Sequence, residues 1–233
     1  MYITEAERGE SMEEEEGFVF EVTHPKKGDV LFASDSSLWQ MDAILNHRPG
    51  DDYPYRQGYR RAGKILTEWI AANRHGVDFL VYPICHAYRH FVELTLKRLI
   101  SVGSSLAERE LNAKESSLLN GSHNLQELWK VFKTIAGEVE TETGIDPPPE
   151  EHIAGIEDYI KQLHAVDAGS FTFRYPLTKK GEASAGDLQR VNLVRFSEHM
   201  ESLCNYLEGY DSYYCELVDL RHEMLSEYSP DYF

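Results

Sequence analysis

Two histidines, an arginine, a glutamate and a lysine fall within HAYRHFVELTLK, residues 86–97. Histidine titrates near neutral pH and serves as general acid or base, while arginine and lysine neutralise phosphate charge. At 100° per residue on a helix, with His86 at zero, Arg89 falls at about −60°, Glu93 at about −20°, Lys97 at about +20° and His90 at about +40°. All five occupy one strip about 100° wide. Tyr88, Phe91, Val92, Leu94, Thr95, Leu96 and Leu99 fill the remainder. A surface helix has the reverse proportions, so this helix is expected at the centre of its fold. Two readings of the strip stand. Arg89 with Glu93, and Glu93 with Lys97, have the i,i+4 spacing of ion pairs on a solvated edge. With two histidines beside them they also form a functional groove.

Other candidate groups are scattered. His123 in GSHN and Arg174 in FRYP lie where neighbouring segments meet the strip or merely cap a helix and anchor a loop. Arg195 and His199 are four apart on one helix face. Arg56, Arg60, Arg61 and Lys64, with Arg74 beyond them, form a local basic patch in which Glu68 is the only acid. These four are the candidate nucleic-acid contacts. His86 and His90 have the HxxxH spacing of a metal pair. The HExxH glutamate is absent, and Arg89 and Lys97 would repel a cation, so neither metal nor cofactor is expected. There is no glycine-rich phosphate loop and no GxSxG.

These groups need helices to position them. YRQGYRRAGKILTEWIAANR has helical spacing from Arg56, with Gly76 as its stop. The second helix runs from near Val77 to about Val102, with Pro83 in its early turns. A short helix precedes NGSH. Leu125, Leu128, Trp129, Phe132 and Ile135 make an amphipathic stripe in the next helix. EEHIAGIEDYIKQLHAVD follows three prolines, and two closing helices are expected at roughly 187–208 and 211–227. Upstream, residues 1–17 read as a disordered acidic arm. Residues 18–52 read as a hairpin, FVFEV and VLFA around THPKKGD, with a connector whose LWQMDAIL makes a helical turn or two. Residues 53–233 read as the helical domain. The predicted fold class is an all-α helical bundle with a small N-terminal β-hairpin addition.

Composition limits the function. The 233 residues carry a net charge of −17, and residues 1–17 hold seven Glu against one Arg. That acidity argues against loose binding to a polyanion. Three separated cysteines suit free thiols in a reducing cytoplasm. No apolar run is long enough to span a membrane, because Arg89, His90, Glu93 and Lys97 interrupt the best one.

The succession YRQGYRRAGKIL, FLVYPICHAYRHFVELTLKRLI, GSHNLQELWK and VDAGSFTFRYP resembles bacterial HEPN-like proteins, over roughly residues 53–230. The likeness rests on the YRHxxELxLK helix, the SHNL helix start and the FRYP loop. It implies a helical bundle that forms a homodimer. It also implies a metal-independent ribonuclease of the toxin or anti-phage type, with RNA as partner. The family's arginine followed after four to six residues by histidine is not present; Arg195 and His199 have three residues between them. Under this resemblance His86, Arg89, His90, Glu93, Lys97, His123 and Arg174 are the catalytic candidates. The alternative is a non-catalytic interaction or regulatory module of a defence or toxin–antitoxin system, whose acidic surface meets a basic protein partner.

Overall fold

Helix α2, Val77–Leu106, is the element around which the others are arranged. In the computed structural model, which describes residues 24–45, 48 and 50–228, it packs against α1 (Tyr53–Asn73), α4 (Leu125–Thr143) and α6 (Leu193–Tyr228). Helix α3 (Ala113–Gly121) and α5 (Glu150–Val166) both rest on α4. Three neighbouring helices explain why α2 is apolar over most of its circumference: Phe91, Val92, Leu96, Leu99 and Ile100 are fully buried. Burial of such side chains contributes about 1.5–3 kcal/mol each.

Local chemistry sets most of the boundaries. Pro54 opens α1, where a missing N–H costs nothing. Arg74 closes it in the left-handed region at φ 54°, donating its N–H to the Ile70 carbonyl. Gly76, expected as the stop, instead caps the start of α2 at φ 72°. Asn112 and Glu115 form a reciprocal capping box at α3, and Asn124 accepts from the Glu127 N–H at α4. Pro149 is the N-cap residue of α5, whose first turn carries Glu150 and Glu151 against the positive end of the helix.

Two expectations are corrected. The closing segment is one helix, not two, and residues 187–192 precede it without helical structure. Gly209 does not break it: an interior glycine costs only about 1 kcal/mol. The buried series Met200, Leu203, Cys204, Leu207 and Tyr214 keeps helical register across Gly209. Second, VLFA forms no strand; Val30, Leu31 and Phe32 are 73%, 87% and 91% exposed. A run this short needs a paired strand to hold it extended, and FVFEV, like the acidic arm, lies outside the described residues.

The chain divides into two units, Met1–His47 and Arg48–Phe233. In the first, LWQMDAIL supplies a single 3-10 turn at Trp39–Met41, and Asp35 bonds the Ser37 amide at 2.8 Å. The second holds six α-helices among the described residues. Among the described residues no helix is long and apolar enough to cross a membrane.

Candidate functional site

The strip on α2 divides by depth. Arg89 is 0% exposed and Glu93 1%. The Arg89 guanidinium uses each of its nitrogens. Nη1 donates to Glu93 Oε2 at 2.7 Å, Nη2 to the His123 carbonyl at 2.7 Å, and Nε to the Asp167 carbonyl at 3.1 Å. Asp167 Oδ2 adds a carboxylate 3.2 Å from Nε. Its other oxygen accepts from the Phe171 and Thr172 amides, which winds the loop after α5 onto α2. A buried charge persists only when paired and hydrogen-bonded, and this one is.

Glu93 joins that brace to the surface. Lys97 Nζ donates to its Oε1 at 3.0 Å, and His123 Nδ1 lies 2.9 Å from the same oxygen. Burial alone would raise the Glu93 carboxyl. The bonds from Arg89 and Lys97, with the Lys97 charge and His123, outweigh it and hold the group at about 2. Glu93 is therefore a fixed carboxylate at any physiological pH, and it accepts the proton on His123 Nδ1. In the neutral ring this leaves the lone pair on Nε2. The side chain is 42% exposed, and Nε2 has no partner among the described residues.

His86 and His90 lie one turn apart, both half-buried, with rings stacked at 5.5 Å between centroids. Tyr59 of α1 meets the His90 ring edge-on at 4.5 Å. The Nδ1 atoms of both histidines are buried without a hydrogen-bond partner. Burial lowers the pKa of both rings; the Arg174 charge adds to it for His86, while Glu93 opposes it for His90. Both are neutral imidazoles at pH 7. Arg174 is exposed, donates Nε to the Ser170 carbonyl at 2.5 Å and lies over the Phe171 and Tyr175 rings.

The candidates fall into two groups: Arg89, Glu93, Lys97 and His123 are joined by hydrogen bonds, while His86 stacks on His90 beside Tyr59. Charge connects the groups, and Arg174 acts on His86 from the loop that Asp167 pins. Asp167 was not among the sequence candidates. Its signal was the turn sequence DAGS directly after a helix, where an aspartate bonds nearby amides.

The basic patch is divided in a similar way. Arg56 is buried between Asp52 at 3.2 Å and Asp211 at 3.0 Å. Arg60 bonds Glu201, Glu208 and Asn205. Both arginines tie α1 to α6. Arg61 and Lys64 are exposed and unpaired among the described residues. Arg195 pairs with Glu198, and His199 bonds Tyr159, so those two do not act together. Among the described residues there is no cluster of three or more metal-ligating side chains.

Comparison with known protein families, with curated proteins and with solved structures gave no match.

Proposed function

We propose that this chain is a metal-independent ribonuclease on a HEPN-like bundle, of the toxin or defence type, acting as a homodimer in the cytoplasm. The observation that carries this reading is the Glu93–His123 dyad. A buried carboxylate of low pKa orients an imidazole whose second nitrogen is basic and open to solvent. That is the general-base arrangement that removes a proton from a ribose 2′-hydroxyl. The alkoxide attacks the adjacent phosphorus, the P–O5′ bond breaks, and a 2′,3′-cyclic phosphate and a 5′-hydroxyl result. Lys97, beside the same carboxylate oxygen, and Arg174 face the developing phosphorane charge. A phosphate near His86 and His90 favours the protonated ring and offsets its burial. One of the two then donates the proton to the leaving 5′-oxygen. Arg89 touches no substrate in this scheme; it positions Glu93 and the His123 backbone. The test is incubation of the purified chain with RNA in excess EDTA, with 3′-end analysis of the products.

A second reading has its own support. Arg89, Glu93, Arg56 and Arg60 are all committed to internal ion pairs, and the chain is strongly acidic. A non-catalytic module that meets a basic protein partner would look like this. Expression in a bacterial host separates the two. A toxin slows growth, and His90→Ala relieves it; a binding module leaves growth unchanged in both cases.

A further inference from the structure

A cleft of about 290 Å³ opens between α2, α5, the loop ahead of α6 and the start of α6. It owes nothing to the histidine strip. Its floor is apolar: Cys85 and Met200 are 1% and 3% exposed, and Leu163, Phe173 and Phe196 complete the wall. Burial pushes the Cys85 thiol up to about 12, so it is a neutral apolar surface rather than a nucleophile.

The polar groups of this cleft are at its edge. Arg190 and His199 both line it and both are exposed. Arg190 has no carboxylate within ion-pair distance among the described residues. Tyr159 Oη lies 2.8 Å from His199 Nδ1, and in the tautomer in which the phenol donates, Nε2 carries the ring hydrogen. Helix α6 begins two residues after Val191, so its positive end borders the same edge. Among the described residues no aspartate or glutamate lines the cleft, in a chain of net charge −17. An apolar floor edged by the Arg190 guanidinium and the His199 ring, with the Gln162 amide already engaged by Asp158, complements an apolar body that ends in an anion.

We infer that this cleft binds a small amphipathic carboxylate, its apolar body against Cys85, Leu163 and Met200 and its carboxylate on Arg190 and His199. A charge-assisted bond of this kind contributes roughly 1.5–3 kcal/mol, or about ten- to a hundred-fold in affinity. Calorimetric titration of the full chain with octanoate and with 1-octanol tests it. Octanoate should bind one-to-one and at least about ten-fold more tightly than the alcohol. Arg190→Gln, an exposed change, should bring the two affinities together. Leu163→Trp should abolish both isotherms while the helical circular dichroism spectrum stays intact. Equal affinities for acid and alcohol, no saturable octanoate binding, a preference that survives Arg190→Gln, or undiminished binding to folded Leu163→Trp would each overturn the assignment.

Discussion

Glu93 has two jobs that are separable by pH. Its carboxyl is held at about 2 in the folded chain against an ordinary value of 4.5. The unfolded state therefore binds the extra proton, and the stability Glu93 contributes is present above about 4.5 and lost as pH falls toward about 2. A shift of this size corresponds to something on the order of 3 kcal/mol. Glu93→Gln should destabilise the chain by about 3 kcal/mol at pH 7, because the buried Arg89 loses one of its two carboxylates and keeps only Asp167. The difference from wild type should shrink between pH 5 and pH 3. Urea unfolding across that range measures it, and a constant difference would mean that the Glu93 charge contributes nothing. The angular count along α2 placed these five groups on one strip. It did not separate the sealed pair from the accessible histidines. That division depends on the loop carrying Asp167, which is 74 residues downstream of Glu93.

At the level of elements, close helix contacts position the strip. Gly103 lets α2 approach both α4 and α6: a Cβ there would lie 2.7 Å from Ile135 Cγ2 and 2.8 Å from Tyr214 Cε2. Gly103→Ala gains about 1 kcal/mol of helix propensity, but overpacking costs about 1–3 kcal/mol. The net effect should be destabilising, read as a lower urea midpoint. By contrast Gly137→Ala in α4, where the Cβ meets open space, should raise it. The starts of α4 and α5 were legible from SHNL and from the prolines before Glu150, because caps act within one turn, whereas α1 was expected from Arg56 and begins at Tyr53. The end of α1 was misread by two residues, because Arg74 takes the left-handed cap that Gly76 seemed made for. The continuity of α6 was not legible. It depends on packing either side of Gly209, which a local breaker signal does not contain.

Taken whole, the molecule spends many of its cations internally. Arg56, Arg60 and Arg89 hold α1, α2, α6 and the loop after α5 in place, while Arg61, Lys64, Arg174 and Arg190 are exposed. With a net charge of −17, RNA engagement should be weak. The all-helical class was readable from periodicity. Which cations are free was not, since Asp211 and Glu208 reach Arg56 and Arg60 from about 150 residues away. The most direct measurement compares wild type, His123→Ala and Arg190→Gln on RNA in excess EDTA at low salt. Catalysis by the dyad predicts cleavage to 2′,3′-cyclic phosphate ends by wild type and Arg190→Gln. It predicts a loss of about a hundred-fold or more in folded His123→Ala. Intact RNA with wild type, or undiminished cleavage by His123→Ala, would contradict it.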